Sequence, residues 1–296
     1  MNAKPTPIAN RCNVYARVTE SIIRMLEAGP VGLTPRSNPS GGGRPLRFNG
    51  TPYRGINTVL LWAAAMDRGF GSNTWVTYRQ AAAHGGQVRK GEHGTLVVYA
   101  GTLTRGEEGD DDQESGRSIA FLKGYTVFNL DQIDGLPTLA PGAPTGVVAP
   151  IPAAETFVSQ CGAEIRHGGD RAFYSIREDR IQLPPASSFS DADGYMATKI
   201  HELTHWTGHP SRLAREFGHR FGDAAYAFEE LIAELCSAFL CADLGVSTEP
   251  RSDHAQYLAS WITVLQNHQH AIVTAASQAQ KAADYLHTLQ GRDPPA

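Results

Sequence analysis

The stretch from Thr198 to Gly208 contains the pattern H-E-x-x-H, which constrains this chain more than any other feature of its sequence. Its two histidines, His201 and His205, are four residues apart, so on an α-helix both imidazoles lie on one face, one turn apart. Asp191 offers an N-cap for such a helix, and Gly208 is a stop signal. The pattern predicts a helix that presents two imidazoles to one metal ion. The simpler alternative is an amphipathic helix with two surface histidines.

Glu202 directly follows the first histidine, so on the same helix its side chain is rotated by about 100° from that of His201. Its carboxylate can reach a water that the ion makes more acidic, and it can take the proton as a general base without being a ligand. A catalytic site of this type needs a third protein ligand and keeps one position open.

A second helical pattern over residues 226–235 supplies candidates for the third ligand. Glu230 and Glu234 are one turn apart in this segment and share a face. One carboxylate can bind the ion, and the other can accept a hydrogen bond from a ligating histidine and hold its tautomer. The alternative is a group of acids on a solvated helix face. Arg212 and Arg215, between the two patterns, are expected at the surface or at a hinge.

The segment that starts at Glu230 reads E-x-x-A-E and resembles the E-x-x-A-D helix of zinc peptidases whose third ligand is a glutamate. In that group the first acid is the ligand, and the acid four residues later orients a histidine. The resemblance implies Glu230 as ligand and Glu234 behind it. Zn²⁺ is the expected cofactor, with Mn²⁺ as the alternative, because two imidazoles and a carboxylate accept either ion.

Charge is distributed unevenly between the two halves of the chain. Residues 1–150 carry 15 Lys and Arg against 12 Asp and Glu, whereas residues 151–296 carry 11 against 18. Six acids of the first half lie between Glu107 and Glu114, so the rest of that half is basic. A basic region beside an acidic one indicates a polyanionic partner for the basic region.

Residues 137–152 contain five prolines, which predict an extended linker. We therefore place a first domain at residues 1–136, a linker at residues 137–153 and a second domain at residues 154–296. Both domains show helical and strand patterns, so the predicted fold class is α+β.

Two strand patterns in the first domain, residues 95–99 and 119–130, flank an acidic segment and predict a hairpin with a long loop. A helix is predicted over residues 154–165. Residues 172–176 and 180–183 predict a second hairpin just before the motif helix. The strand 180–183 is placed to hold an extended peptide by strand addition, and a purely structural strand fits equally well.

Aromatic and basic residues alternate along the first domain, which is the pattern that binding of single-stranded nucleic acid requires. Rings stack on unpaired bases, and Arg and Lys side chains hold the phosphates. The competing interpretation is that the rings belong to the core. The candidates for nucleic-acid contact are Tyr53, Arg54, Asn57, Trp75, Tyr78, Arg89, Lys90, Lys123 and Tyr125.

Six segments of the chain resemble the ArdC-type antirestriction proteins of plasmids and phages. Four resemble the N-terminal domain of that family, and two resemble its metallopeptidase-like C-terminal domain. They are residues 53–57, 75–78, 87–95 and 125–132, followed by residues 201–213 and 226–235. The resemblance implies a first domain that binds single-stranded DNA, a zincin-like second domain, and protection of incoming plasmid DNA from host restriction. It does not by itself imply proteolysis.

Three functions are therefore open. The first is an antirestriction protein that coats incoming DNA and carries a metal-dependent hydrolase domain. The second is a metallopeptidase that acts on a host protein and uses DNA binding only for targeting. The third is a DNA-binding protein whose metal is purely structural.

The sequence contains no apolar run long enough to cross a bilayer, and its first ten residues lack the pattern of a signal peptide. Its four cysteines show no C-x-x-C spacing, and we expect them to be reduced. We therefore expect a cytoplasmic protein without a membrane partner. The sequence does not define an oligomeric state.

Overall fold

The computed structural model describes residues 14–27, 43–105, 117–136, 150–217, 224–247 and 254–290. These residues form eight α-helices and nine β-strands, which confirms the predicted α+β class. None of the described helices has the length and hydropathy that a membrane span requires.

The first part of the chain contains a sheet with helices packed beside it. Its elements are α1 (Val14–Glu27), β1 (Leu46–Arg47), α2 (Ile56–Arg68), β2 (Thr74–Val76), α3 (Tyr78–Ala83), β3 (Gln87–Val88), β4 (Thr95–Arg105), β5 (Arg117–Asn129) and β6 (Ile133–Asp134). Among the described residues the sheet has the strand order β1-β2-β5-β4. The predicted hairpin is confirmed, because β5 pairs antiparallel with β4 over the whole length of β4. The connecting residues 106–116 lie outside the described ranges.

The second part of the chain is mainly helical. Its elements are α4 (Pro150–Gln160), β7 (Glu164–His167), β8 (Phe173–Ser175), β9 (Arg180–Leu183), α5 (Ala192–Thr207), α6 (Ala224–Leu244), α7 (His254–Asn267) and α8 (Ala271–Thr288). Residues 137–149 of the predicted linker lie outside the described ranges. Helix α4 begins already at Pro150, because proline suits the first turn of a helix. It ends before Gly162, whose φ of 75° interrupts the helix. Residues 164 and 165, which were predicted to be helical, therefore belong to strand β7.

The three strands of the second part are ordered β7-β9-β8. Strand β9 pairs in parallel with β7 and antiparallel with β8. Both of its edges are therefore occupied, and the expectation that residues 180–183 hold a peptide by strand addition is wrong. Strands β7 and β8 each pair with β9 alone among the described strands, so these two lie at the sheet edges.

The two predicted domains share one hydrophobic core. Val18 and Ile22 of α1 and Leu60 of α2 are buried in the same cluster as Leu235 of α6 and Ala276 of α8. Helices of the first part therefore lose apolar surface against helices of the second part. This burial favours folding, and the two predicted domains pack directly against each other.

Arg44 links the two parts through a network of hydrogen bonds. Its buried side chain donates to the two carboxylate oxygens of Asp243 at 2.7 and 2.8 Å and to Gln280 Oε1 at 2.7 Å. The same Gln280 oxygen accepts the backbone N–H of Gly55, just before α2, at 3.0 Å. Burial opposes ionisation of Asp243, but a hydrogen bond from His287 and the charge of Arg44 outweigh it and lower the pKa of that carboxyl.

Replacing Arg44 by methionine should destabilise the protein by about 3–5 kcal/mol, because the Asp243 carboxylate loses its partner in a poorly solvated position. Arg54→Met is the matched control. Arg54 also pairs with an aspartate of the second part, Asp284, but the two side chains are 28% and 26% exposed, so its loss should cost less than about 1 kcal/mol. Free energies of unfolding in urea measure both effects. Equal losses in the two variants would contradict a special role for Arg44.

Candidate metal centre

Helix α5 presents the H-E-x-x-H pattern to the interior of the protein. The Asp191 carboxylate accepts the backbone N–H of Gly194 at 2.6 Å and caps the first turn, as predicted. His201 and His205 are 4% and 7% exposed. The alternative of two surface histidines is therefore wrong.

The structure brings the three predicted ligands together. The Nε2 atoms of His201 and His205 are 3.1 Å apart. The carboxylate of Glu230 on α6 lies 3.5 Å from each of these nitrogens. Among the described residues these side chains form a group whose ligand atoms all lie within 4.8 Å of one another. The group is a candidate site for a metal ion.

The other ring nitrogens of the two histidines face two further carboxylates. His201 Nδ1 lies 3.0 Å from Glu234, and His205 Nδ1 lies 3.1 Å from Glu229. In a neutral imidazole the nitrogen that faces a carboxylate carries the proton, so each Nε2 keeps its lone pair. Two lone pairs and the Glu230 carboxylate then converge on one point, where a cation would have all three as ligands.

The spacing of the donors also fits such an ion. With metal–ligand bonds of about 2.1 Å at roughly tetrahedral angles, two ligating nitrogens are about 3.4 Å apart, which is close to the 3.1 Å between His201 and His205. Two imidazoles and a carboxylate suit Zn²⁺ and Mn²⁺ alike.

Both adjacent acids of α6 favour the ionised form that a metal centre requires. Burial opposes ionisation of Glu230, but a hydrogen bond with His201, the charges of the two histidines and a hydrogen bond from Tyr226 outweigh it and lower its pKa. Burial likewise opposes ionisation of Glu229, and its hydrogen bonds with His205 and an arginine outweigh this cost and lower its pKa.

That arginine is Arg215, which together with Glu229 was missed by the sequence analysis. The expectation that Arg215 lies at the surface is wrong, because its side chain is 5% exposed and grips the Glu229 carboxylate at 2.8 and 3.0 Å. Arg212 is also not a surface residue, since its side chain is 9% exposed and pairs with Asp179. The one available signal was that Glu229 is a third acid, beside Glu230 and Glu234, in a mostly apolar helical segment.

Glu202, the predicted general base, is 5% exposed. Within the described ranges its carboxylate takes part in no hydrogen bond or ion pair. It is therefore not neutralised by another side chain of the described structure.

Two of the predicted DNA-contacting rings lie in the core. Tyr53 is 8% exposed and Trp75 is 1% exposed, and both pack in a cluster with Leu61. Neither ring has a face open to a base, so the predicted stacking role does not hold for these two residues. For them the competing interpretation, a core position, is correct.

Two polar candidates are engaged within the fold. The Asn57 side chain donates to the backbone oxygen of Val98 and accepts its N–H, both at 2.7 Å, which fixes α2 to β4. Arg54 forms the ion pair with Asp284 of α8. Both side chains therefore have structural partners.

The remaining candidates are exposed but do not form one surface. They are Tyr78, Arg89, Lys90, Lys123 and Tyr125. The Tyr78 ring contacts Phe128, with 6.5 Å between ring centroids. Phe128 is three positions after Tyr125 on β5, so alternation along the strand places the two side chains on opposite faces. Tyr78 therefore lies on the other side of the sheet from Tyr125.

The site defines a class of protein before any comparison is made. A helix with H-E-x-x-H packed on a helix that supplies a glutamate is the arrangement of a zincin-like metallopeptidase domain. A family model described as a zincin-like metallopeptidase matches residues 152–278. A second model, described as the N-terminal domain of anti-restriction factor ArdC, matches residues 12–128.

Similarity over nearly the whole chain identifies the family. The crystal structure of the antirestriction protein ArdC from plasmid R388, in its metal-free form, is 45% identical and has a TM-score of 0.78, covering 95% of this chain and 99% of that one. Its Mn(II)-bound form gives a TM-score of 0.76 over 94% and 98% of the two chains. The present chain belongs to the ArdC antirestriction family.

Two relatives known from sequence complete the comparison. The uncharacterized protein y4eC of Sinorhizobium fredii is 43% identical, over 94% of this chain and 92% of its own length. A DNA primase TraC of Escherichia coli is 39% identical over 92% of this chain. The present chain spans only 27% of the length of that primase.

Substitutions of the two acids that flank His201 should separate a ligand from its support. Glu230→Ala removes a donor from the metal site and should nearly eliminate binding of Mn²⁺. Glu234→Ala keeps the three donors and removes only the partner of His201, so affinity should fall about 10–100-fold. Isothermal titration calorimetry measures both values. If the order of the two losses were reversed, Glu234 would be the ligand.

Proposed function

We propose that this protein binds single-stranded DNA with its first part and protects incoming plasmid DNA from host restriction. We propose further that its second part holds Zn²⁺, with Mn²⁺ as the alternative, in a peptidase-type centre. The observation that carries the proposal is the likeness to an antirestriction protein over nearly the whole chain. The buried group of His201, His205 and Glu230 supports the second half of it.

His201, His205 and Glu230 would hold the ion. A bound ion of this charge acidifies water and polarises a carbonyl group. Glu202 is suited to accept a proton, because its buried carboxylate has no ion-pair partner among the described residues. The Tyr226 hydroxyl donates to Glu230 and keeps that carboxylate oriented. The edge of β8 offers backbone groups to which an extended peptide can add as a further strand.

We assign DNA binding to an exposed patch, here called the ribbon face, that consists of Arg47, Tyr99, Lys123 and Tyr125. Tyr99 and Lys123 are cross-strand partners on β4 and β5, and Tyr125 lies two residues along the same face of β5. The two rings are 55% and 39% exposed, and both basic residues are exposed.

Electrostatic coupling supports the grouping of the ribbon face. Partial burial and the neighbouring Tyr99 raise the pKa of Tyr125, and the charge of Arg47 opposes this shift. The three groups are therefore close enough to act on one another. Two exposed rings beside two cations match the requirement of single-stranded DNA for stacking surfaces and for phosphate partners. Tyr99 was not among the residues predicted from the sequence.

Tyr125→Ala should weaken the binding of a single-stranded oligonucleotide by about 1–3 kcal/mol, because a stacking surface is lost. Tyr78→Ala is the matched control, since Tyr78 is 51% exposed but lies on the other side of the sheet. Fluorescence anisotropy with a labelled oligonucleotide measures both affinities. If Tyr78→Ala caused the larger loss, the DNA-binding surface would lie on the opposite side of the sheet.

Glu202→Gln separates DNA protection from hydrolysis. The variant should bind metal as the wild type does and should lose any hydrolysis of peptides, because the proton acceptor is removed. Plasmid protection, measured as transfer efficiency into a restricting host, should persist, because DNA coating does not need the base.

Two other outcomes would point to the other functions. Loss of protection in Glu202→Gln, with unchanged DNA affinity, would favour a metallopeptidase that acts on a host protein. A wild-type protein that binds metal but cleaves no peptide of a broad library would favour a purely structural ion.

A further inference from the structure

The segment between α5 and α6 begins with residues 208–217, here called the post-motif loop. Two arginines fasten this loop to different elements of the fold. Arg212 donates to Asp179 at the β8–β9 turn, and its guanidinium lies 3.9 Å from the centre of the Trp206 ring. Arg215 instead reaches Glu229 on α6. Between them Ala214 has a φ of 48°, a left-handed conformation that residues with a Cβ rarely adopt.

Arg215 makes a closed set of hydrogen bonds between the two helices that carry the metal centre. It donates from Nε and Nη2 to the two oxygens of Glu229, at 3.0 and 2.8 Å. It also donates to the Thr204 backbone oxygen at 2.7 Å and to the Thr207 hydroxyl at 2.8 Å. The guanidinium therefore joins the last turn of α5 to the first half of α6.

One of the two Glu229 oxygens that Arg215 binds also faces His205. Glu229 Oε1 lies 3.1 Å from His205 Nδ1 and 2.8 Å from Arg215 Nη2. Arg215 holds this carboxylate in place and offsets its charge beside a second carboxylate, Glu230. A fixed Glu229 keeps the proton of His205 on Nδ1, so that Nε2 offers its lone pair to the centre.

Gly208 leaves the space that this arrangement needs. A Cβ atom at this position would lie 2.9 Å from Arg215 Nη2 and 2.7 Å from the Phe217 ring. The Phe217 ring in turn lies against His205, with 6.2 Å between ring centroids. The helix-stopping glycine therefore also allows the arginine to pass between the helices.

We propose that Arg215 is a positioning residue of the metal centre, which acts through Glu229 to hold the orientation and tautomer of His205. The proposal rests on the proposed function, because it requires that the centre binds a metal ion. Arg212 provides the contrast, because it fastens the same loop but, among the described residues, pairs with Asp179 and not with Glu229 or Glu230.

The test compares Arg215→Met, Arg215→Lys and Arg212→Met in the full-length chain. Calorimetry gives the dissociation constant for Mn²⁺, and thermal unfolding of the metal-free proteins gives the midpoint temperature. Arg215→Met should weaken Mn²⁺ binding by about 10–100-fold, the range found for such supporting groups. Arg215→Lys keeps the charge but not the bidentate hydrogen bonding, so it should show a smaller loss of Mn²⁺ affinity. Arg212→Met should lower the midpoint temperature and leave the dissociation constant within about twofold of the wild type, because its contacts do not include a metal ligand's partner.

The outcomes distinguish the positioning role from a merely structural one. If both Arg215 variants were destabilised but bound Mn²⁺ as the wild type does, the proposal would be overturned and the proposed metal centre would stand. If Arg215→Met does not fold, Arg215→Lys decides alone, and wild-type affinity in that variant would overturn the proposal. A wild-type protein that binds neither Mn²⁺ nor Zn²⁺ would refute the metal centre itself, and the positioning role with it.

Discussion

The packing of α5 against α6 is the constraint on which the rest of the second part depends. It places two imidazoles and several carboxylates in the interior, where an isolated charge is strongly unfavourable. The Nδ1 atoms of His201 and His205 each face a carboxylate of α6. Their Nε2 atoms face each other and Glu230. A cation between the two Nε2 atoms and Glu230 would complete the centre. The large apolar surface buried elsewhere on α5 and α6 offsets the cost of holding so many charged groups away from water.

A second constraint is that the first and second parts of the chain are not packed as separate bodies. Helices α1 and α2 contribute to the core that surrounds α6 and α8, and Arg44 closes the junction by binding Asp243 and Gln280. The ribbon face lies mainly on β4 and β5, with Arg47 on β1. Asn57 fixes β4 to α2. A continuous packed path therefore connects the sheet that carries the ribbon face with the helices that carry the metal centre.

Much of this fold could be predicted from local patterns. The N-cap at Asp191, the long hairpin of β4 and β5 and the motif helix each depend on interactions between residues near in sequence, or on a periodicity that can be seen directly. The prediction failed where a neighbour far along the chain decides. Whether β9 or β8 lies at the sheet edge depends on where β7 pairs, and strand order is not visible in the pattern of a four-residue strand. Trp75 and Tyr125 have similar aromatic and basic surroundings in sequence, yet one is in the core and the other is exposed.

The sequence alone determined the chemistry of the metal site: four-residue spacing puts His201 and His205 on one helix face, and the same spacing puts Glu230 and Glu234 on another. These relations follow from the helical repeat and hold in any tertiary structure that keeps the helices. Only the tertiary structure decided that the neighbouring acid, Glu229, reaches the second histidine, and that Arg215 holds it there. The physical reason is that these contacts depend on the crossing geometry of α5 and α6 and on the path of the loop between them. Neither can be predicted from the periodicity of a single segment.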